Sequence, residues 1–455
     1  MITTVNPATG ETLAEYRTLD ECGIDTALDL AQATYRDWRT SPIERRTAVL
    51  KKLGDLYLEQ TDDLAKLAVA EMGKPVSQAR SEVEKCASLF HYLAEKGPAM
   101  LEPLEWELSG GGTAQGLWLP QGPVLAVMPW NFPYWQVARF LAPTILAGNV
   151  GLLKHASIVQ GTAAKLAELV VEAGGPDGLF QNLCIGSDPV AGILADDRVI
   201  AATLTGSEGA GRAVAEQAGK HIKKVVLELG GSDPFIVMPS ADIDQAVEDA
   251  VLARIQNNGQ SCICGKRTIV HADIYDEFSQ KFITALSAVE PGDPMDDDTK
   301  LGPLSSEAQR DTVLDQVDTA RKEGATLLFG AEKLDRDGAW MTPGLLSEVT
   351  IGSETGTDEI FGPVGQLYKA QDMDGAVRIA NAIPFGLGSA VWTRDEQEQE
   401  HFAAHIEAGM TTFNAVNGSH IEAPFGGIKN SGFGRELSQF GLHEFMNLKT
   451  IVRPA

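Results

Sequence analysis

A free cysteine in a glycine- and serine-containing loop is the residue of this sequence best suited to covalent chemistry. Cys262 lies in the stretch 256–266, QNNGQSCICGK, just after residues 243–254, whose pattern predicts a helix. A thiol on a turn past a helix can point into a cavity, where its thiolate is a nucleophile. The same pattern fits a small buried side chain, which is what most free cysteines are. This stretch alone leaves both interpretations open.

The composition is that of an ordinary globular protein with a strong acidic excess. The 455 residues are too many for one compact core, so two or three domains are expected. The net charge of −26 argues against nucleic acid and anionic membranes as partners. The chain shows no signal-peptide pattern and no window of 18 apolar residues, which favours a cytoplasmic protein with no membrane partner.

The cysteines do not predict a structural framework. Five of them, at positions 22, 86, 184, 262 and 264, are odd in number and mostly scattered, so no disulfide pattern is implied. No CxxC pair occurs, and the eight histidines show no metal-ligand spacing with the cysteines. We therefore expect reduced thiols and no bound metal.

The pattern of apolar residues predicts an α/β protein. Residues 25–97 have apolar positions at three- and four-residue steps, which indicates several helices. Residues 104–120 are strand-like and are interrupted by three glycines, as in a hairpin or a projecting arm. From Gly122 onward, short β-rich runs alternate with helical segments, which predicts a doubly wound parallel sheet. A second α/β unit begins near Gly231.

Polar residues follow the predicted strands of the first sheet. Ligands of such sheets bind at the carboxyl ends of the strands, so a cofactor is expected there. The chain contains no G-x-G-x-x-G sequence, so the site does not use the standard dinucleotide fingerprint. The strand ends carry Trp130, Asn131, Lys154, Gly206, Ser207, Glu228, Leu229 and Gly230.

These patterns predict three structural parts. We expect a cofactor domain from residues 1–107 and 122–230 and a catalytic domain from residues 231–423. Residues 108–121 and 424–455 are expected to form a small β arm that bridges subunits. The strand-like sequence NLKTIVR near the end of the chain could pair with this arm, in the same or a neighbouring subunit. The expected assembly is a homodimer or a homotetramer.

Six motifs in fixed order resemble those of the aldehyde dehydrogenase superfamily. They are MPWNFP (128–133), LTGSEGAG (204–211), LELGGSDP (227–234), GQSC (259–262), EIFGPV (359–364) and PFGGIKNSGFGRE (424–436). The resemblance runs from Asn6 almost to the C-terminus, and six ordered motifs are far more specific than any one of them. The sequences WNFPYWQVAR and LLKHAS are similar to those of bacterial succinate-semialdehyde dehydrogenases.

The resemblance implies the chemistry of aldehyde oxidation. Cys262 would be the nucleophile, and the side-chain amide of Asn131 would hold the oxyanion of its adduct together with the cysteine N–H. Glu228 would activate water to hydrolyse the resulting thioester, and burial among apolar residues would raise its pKa toward a useful value. Members that pass the acyl group to coenzyme A generally lack this glutamate, so hydrolysis is favoured.

The resemblance also implies a nicotinamide cofactor. The expected cofactor-binding residues are Trp130, Lys154, Ser157, Gly206, Ser207, Leu229, Glu359 and Phe361. NAD-preferring relatives carry a glutamate three residues after the conserved lysine, whereas this chain has Ser157. A neutral serine beside Lys154 accommodates a 2′-phosphate, so NADP is expected as the preferred cofactor, with NAD weaker. His155 is a further candidate for that phosphate.

Arg139 is the expected binding residue for a substrate carboxylate. It lies eight residues after Asn131, where the succinate-semialdehyde group has an arginine, and a guanidinium suits a carboxylate. Some relatives carry a second arginine six residues before the nucleophile, where this chain has Gln256. Ser419 and His420 are candidates to compensate. An ordinary surface arginine on a helix is the alternative interpretation of Arg139.

Two other functions fit the same fold. One is a non-catalytic relative of the family. Loss of Cys262 or Glu228 would have favoured it, and both residues are present. The other is an acyl-transferring or purely esterolytic thiol enzyme, which would need no nicotinamide cofactor. A further hypothesis, from animal relatives with cysteines at both positions, is that Cys264 forms a reversible disulfide with Cys262.

Overall fold

The computed structural model describes residues 1–455. The chain begins with two antiparallel strands, and four helices follow that cover the region where the sequence predicts helices. The first of these helices is capped by Asp20, whose side chain accepts a hydrogen bond from the Gly23 N–H at 2.9 Å. The elements are β1 (Ile2–Val5), β2 (Thr12–Tyr16), α1 (Glu21–Trp38), α2 (Ile43–Glu59), α3 (Thr61–Met72) and α4 (Val76–Met100).

The first large sheet has six strands and the doubly wound order expected from the sequence. Its strands and the helices that connect them are β5 (Pro123–Met128), α5 (Trp135–Ala147), β6 (Val150–His155), α6 (Gln160–Glu172), β7 (Phe180–Asn182), α7 (Val190–Ala195), β8 (Ala201–Thr205), α8 (Glu208–Lys220), β9 (Lys224–Glu228) and β19 (Gly432–Phe433). The order is β19-β9-β8-β5-β6-β7, and all neighbours are parallel except β19. The chain reverses its direction of winding between β5 and β8, which makes the crevice between their carboxyl ends a ligand site.

The second sheet has seven strands. They are β10 (Pro234–Val237), β11 (Arg267–His271), β12 (Thr326–Gly330), β13 (Gly344–Ser347), β14 (Val364–Ala370), β16 (Ala390–Trp392) and β17 (Thr412–Phe413). Their order is β12-β13-β14-β11-β10-β16-β17, and only β12 is antiparallel to its neighbour. Ile236 packs into the core on one face of this sheet, whereas Phe235 and Val237 pack into the core on the other face. This alternation is the two-residue period of a strand that is buried on both sides.

Seven helices and a small two-stranded pairing complete the second unit and the C-terminal region. The longer helices cover the two faces of the seven-stranded sheet. The helices are α9 (Ile243–Ile255), α10 (Tyr275–Ser287), α11 (Glu307–Lys322), α12 (Glu354–Thr357), α13 (Met373–Asn381), α14 (Glu396–His405) and α15 (Ser438–His443), and the paired strands are β15 (Phe385–Gly386) and β18 (Ile428–Lys429).

A three-stranded antiparallel sheet forms the arm. It contains β3 (Leu104–Glu107), β4 (Thr113–Pro120) and β20 (Met446–Arg453), in the order β20-β4-β3. The late strand therefore pairs with the arm, as proposed from the sequence, and it does so within one chain. Three segments lie in a different sheet from the expected one: β3 belongs to the arm, β18 pairs with β15, and β19 joins the first large sheet. We therefore place the start of the arm near residue 104.

No helix in the structure combines the length and apolar character needed to cross a lipid bilayer.

Candidate active site

Cys262 lies where two cavities meet. A cavity of about 260 Å³ is lined by the carboxyl ends of β5, β8 and β9 and by Glu359 and Phe361. A second cavity of about 240 Å³ is lined mainly by α4, α5 and the loop before β18. Cys262 lines both of them. Of the two interpretations of this cysteine, the structure supports the one in which its thiol faces a cavity.

The backbone before Cys262 takes a left-handed turn that aims the loop into the crevice. Helix α9 ends at Ile255, and Asn257, Asn258 and Gly259 follow with φ of 53°, 59° and 74°. Asparagine tolerates this region better than most residues. A Cβ at Gly259 would lie 2.4 Å from the backbone of Gly362, so only glycine fits. The sequence QNNG thus encodes the turn itself.

Hydrogen bonds tie this loop to Asn131. The Asn131 Nδ2 donates to the backbone oxygen of Gln260 at 3.0 Å, which orients the amide and leaves one hydrogen free. In return, the Asn257 Nδ2 donates to the backbone oxygen of Asn131 at 2.8 Å. The N–H of Cys262 has no acceptor within the protein. Two donors are therefore available near the nucleophile, which is the arrangement needed to hold an oxyanion.

The thiol of Cys262 is neutral in this state. Burial raises the pKa of Cys262 to about 12, and the positive charges of Lys266 and Arg139 offset only part of this effect. Lys266 itself is buried and donates to the backbone oxygens of Ser261 and Cys262, each at 2.7 Å, while its Nζ lies 2.9 Å from Glu359. Lys266 thus fixes the loop more than it activates the thiol.

Glu228, at the end of β9, lines the first cavity together with Cys262. It is fully buried, and burial together with the nearby Glu436 raises its pKa well above the usual range. This confirms the direction of the shift expected from the sequence. The positive charge of Arg139 opposes the rise in pKa at both carboxyl groups, and its Nε lies 2.7 Å from Glu436. A carboxyl group whose pKa is raised in this way is suited to take up and release a proton during a reaction.

The first cavity has the features of a nucleotide site. Ser207 caps α8 by accepting from the Ala210 N–H at 3.4 Å, so the positive end of this 13-residue helix faces the crevice beside Gly206. The rings of Trp130 and Phe361 lie edge to face, with centroids 5.7 Å apart. The structure brings together six of the eight cofactor residues expected from the sequence, namely Trp130, Gly206, Ser207, Leu229, Glu359 and Phe361.

Lys154 and Ser157 lie outside this cavity, at the end of β6. Lys154 makes no ion pair, and burial lowers its pKa. Ser157 is exposed at the start of a short 3₁₀ helix. The suggested role of His155 is wrong. Its ring is completely buried, and its pKa is lowered to about 4 by burial, so it is neutral. Its Nδ1 accepts from the Ala156 N–H and its Nε2 lies 3.0 Å from the Pro133 carbonyl, which makes it a structural residue.

The second cavity contains the residues expected for substrate binding, and one that the sequence did not reveal. Arg139, Gln256 and Ser419 line it, and so does Lys85 of α4. Arg139 is buried, and its guanidinium lies over the ring of Phe425 at 4.4 Å. It is therefore not the surface arginine of the alternative interpretation. His420 is exposed and does not line the cavity, so only Ser419 of that pair can act there.

Cys264 is buried and lines neither cavity. Its thiol points back toward the backbone oxygen of Gln256, at 3.6 Å. A disulfide with Cys262 would require this side chain to turn, so the redox role remains a hypothesis.

A fully buried ion pair behind Asn131 was also absent from the sequence analysis. Lys74 pairs with Glu82, and the Glu82 Oε1 accepts from the N–H groups of Tyr134 and Trp135 at 2.8 and 2.9 Å. Lys74 also donates to the backbone oxygen of Asn131 at 3.3 Å. The pair thus holds the start of α5 and the Asn131 loop. Lys74 stands between Gly73 and Pro75, just before α4, and Glu82 stands within α4. Each resembles an ordinary surface residue, so nothing in the sequence marked the pair.

Comparisons with known proteins identify the family of the chain. Over 452 residues the chain is 48% identical to succinate-semialdehyde dehydrogenase (NADP+) 1 of Mycobacterium tuberculosis, with 99% of each chain covered. It is 49% identical over 452 residues to the NADP+ succinate-semialdehyde dehydrogenase of Mycobacterium leprae, again over 99% of both. The crystal structure of succinic semialdehyde dehydrogenase from Streptococcus pyogenes, in complex with NADP+, superimposes with a TM-score of 0.98 at 38% identity over the whole of both chains. The model of the aldehyde dehydrogenase family matches residues 1–451, and the chain belongs to that family.

Proposed function

We propose that this chain oxidises succinic semialdehyde to the corresponding acid, with NADP as the preferred cofactor. The observation that carries this proposal is the position of Cys262 at the junction of the two cavities. One cavity has the polar strand ends of a nucleotide site, and the other has cationic side chains suited to a carboxylate. The similarity to the NADP+ succinate-semialdehyde dehydrogenases of Mycobacterium and to the Streptococcus enzyme in complex with NADP+ supports both the substrate and the cofactor.

The first step forms a thiohemiacetal on Cys262. The sulfur attacks the aldehyde carbon and its S–H proton passes to water in the cavity, because a pKa of about 12 keeps the buried thiol protonated before the reaction. The free hydrogen of the Asn131 amide and the Cys262 N–H then stabilise the oxyanion. A single donor of this kind typically contributes about 2.7–4 kcal/mol to the transition state.

NADP, when bound, supplies the acceptor for the hydride that leaves this adduct. The residues of this chain fit it in two respects. The N-terminus of α8 beside Gly206 suits a phosphate, and a Cβ at Gly206 would meet only Leu204 at 3.7 Å, so a ligand can approach the backbone. Lys154, without a carboxylate partner, is available for a 2′-phosphate beside the neutral Ser157.

Glu228 completes the cycle by hydrolysing the thioester. Its carboxylate removes a proton from water, the resulting hydroxide attacks the acyl carbon, and the Cys262 thiolate leaves. Because neither oxygen of Glu228 has a hydrogen-bond partner in the protein, the side chain is not tied to one orientation. Glu228→Gln should still form the acyl-enzyme but should stall its hydrolysis. A burst of reduced cofactor followed by slow turnover is the expected signature.

The test of the proposal is the appearance of NADPH absorbance with a panel of aldehydes and with either cofactor. We expect the highest kcat/KM for succinic semialdehyde with NADP and no activity for Cys262→Ala. An inactive wild-type protein that binds NADP would favour the non-catalytic relative. Thiol-dependent ester hydrolysis without any cofactor reduction would favour the esterolytic enzyme.

Arg139 is proposed to contribute to carboxylate binding. Arg139→Ala should raise KM for succinic semialdehyde more than for butanal, an uncharged aldehyde of the same length. Because Arg139 also faces Glu436 at 2.7 Å, the variant should in addition lower kcat for both aldehydes. Equal effects on the two KM values would contradict a role in binding the carboxylate.

We also propose that the chain forms a homodimer or a homotetramer through the arm. Apolar side chains of the three-stranded sheet are exposed, namely Leu104, Trp106, Leu448 and Val452. Such a surface on an arm with free strand edges favours association. Light scattering coupled to size exclusion would give the subunit number, and Trp106→Lys should lower it.

A further inference from the structure

We infer that Lys85 binds the distal carboxylate of the substrate and sets the preference for carboxylated aldehydes. This inference rests on the proposed function, since it assigns a residue to the substrate of that reaction. Lys85 lies on α4, and its side chain lines the same cavity as Cys262 and Arg139. It stands apart from every motif by which the family was identified.

The ammonium group of Lys85 is held in place but is not neutralised. Its Nζ donates to the backbone oxygen of Ser419 at 2.7 Å and to the Ser419 Oγ at 2.8 Å. It also lies 4.6 Å from the centroid of the Trp135 ring. A lysine ammonium has three hydrogens, so one remains for a ligand in the cavity. No carboxylate lies within ion-pairing distance of it.

The acidic groups near Lys85 are already engaged elsewhere. Glu82 is occupied by Lys74 and by two backbone N–H groups, and Glu436 faces Arg139. The pKa of Lys85 is lowered to about 8, first by burial and then by the charge of Arg139, while Cys86 and Glu82 act in the opposite direction. The substrate end of this cavity therefore carries excess positive charge, which a bound carboxylate would compensate.

A second unpaired donor faces the same space. The Nε2 of Gln256 is buried and has no hydrogen-bond partner in the protein, and Gln256 lines the cavity. Some relatives have an arginine at the position of Gln256, six residues before the cysteine. In this chain Gln256 offers a neutral donor, and the positive charge is that of the Lys85 ammonium on α4. A carboxylate between Lys85 and Gln256 would satisfy both groups, which an uncharged aldehyde could not do.

The test compares succinic semialdehyde with butanal in Lys85→Met and Lys85→Arg. Loss of one charge-assisted hydrogen bond typically lowers affinity roughly ten- to a hundredfold. We therefore expect Lys85→Met to lower the ratio of kcat/KM values, succinic semialdehyde over butanal, at least tenfold, through KM and not kcat. Lys85→Arg should recover most of the ratio. Lys96→Met, which removes an exposed lysine from the same helix, is the matched control and should leave the ratio unchanged.

The outcomes separate this inference from the proposed function. If the wild type shows no preference for succinic semialdehyde, the proposed substrate is wrong, whatever Lys85 does. If the wild type shows the preference and a folded Lys85→Met keeps it, Lys85 is only a structural lysine and the inference is overturned. Should Lys85→Met fail to fold, Lys85→Gln, whose amide can still donate to Ser419 but carries no charge, must still reduce the ratio.

Discussion

Breaking the buried ion pair behind Asn131 should cost both stability and catalytic rate. The perturbation is Lys74→Met, which keeps much of the side-chain volume and removes the charge. Lys74 and the side chain of Glu82 are, respectively, 0% and 2% exposed. The remaining carboxylate would keep its two backbone donors from Tyr134 and Trp135 but would lose its ion-pair partner.

The size of the effect follows from this geometry. Removing one partner of a buried pair typically costs about 3–5 kcal/mol, because an uncompensated charge stays buried. For domains of this size, that corresponds to a fall in Tm of roughly 6–20 °C. The catalytic loss should be smaller. Loss of an oxyanion donor costs about a hundred- to a thousandfold in rate, but Asn131 would still be held by Asn257 and Gln260. We expect about a tenfold fall in kcat.

The double variant Lys74→Met/Glu82→Gln distinguishes the two effects. The amide oxygen that this second substitution introduces can still accept from the two N–H groups, and no charge remains buried, so Tm should largely recover. The bond from Lys74 to the backbone oxygen of Asn131 is absent in both variants, so kcat should stay low. The assays are thermal unfolding followed by circular dichroism, and steady-state kinetics with saturating NADP.

Two results would refute this reasoning. A single variant with a Tm within about 1 °C of the wild type would show that the pair is not what stabilises the start of α5. A double variant that recovers kcat together with Tm would show that Lys74 acts only on stability and does not position Asn131.

Three further predictions concern the cofactor, the second thiol and pH. Ser157→Glu should reverse the cofactor preference by lowering kcat/KM for NADP specifically, and an unchanged value with NADP would exclude Ser157 as the determinant. If Cys264 is a redox partner of Cys262, peroxide should inactivate the wild type reversibly, with dithiothreitol restoring activity to the wild type but not to Cys264→Ser. Because burial and Arg139 lower the pKa of Lys85 to about 8, the charge that binds a carboxylate is present below that pH and lost above it. KM for succinic semialdehyde should therefore rise between pH 7 and 9, whereas KM for butanal should not.

The sequence predicted the parts of the site that lie on the backbone turns of the two sheets. Cys262 follows a run of asparagine and glycine whose left-handed conformation is readable from residue types alone. Asn131 and Glu228 follow buried strands, and the carboxyl ends of parallel strands meet in space. The topology rule therefore predicted that Asn131 and Glu228 share one crevice, whereas Cys262 was joined to them by the resemblance to the aldehyde dehydrogenase superfamily.

Residues contributed by α4 could not be predicted in this way. Glu82 and Lys85 stand in the same helix, and the sequence indicates only that the helix is amphipathic. Which charged residue faces the interior depends on where α5 and the loop around Ser419 pack against it, and Ser419 is 334 residues away from Lys85. The expected phosphate contact of His155 was wrong for a related reason, because the burial of its ring is set by residues that are distant in sequence. A histidine beside Lys154 has no local signal that separates an exposed ring from a fully buried one.

The distribution of unpaired cations explains how so acidic a chain can bind two anionic ligands. The net charge is −26, yet the charged groups nearest the nucleophile are mostly paired, as in Lys266 with Glu359 and Arg139 with Glu436. Two lysines of the site have no carboxylate partner. Lys154 stands without a carboxylate at the end of β6, and Lys85 stands without one in the substrate cavity. Because the field of a distant surface charge is screened within about 8–10 Å, these local lysines outweigh the acidic surface at each end of the site. A cofactor phosphate beside Lys154 and a substrate carboxylate beside Lys85 would each neutralise a positive charge that no side chain of the protein neutralises.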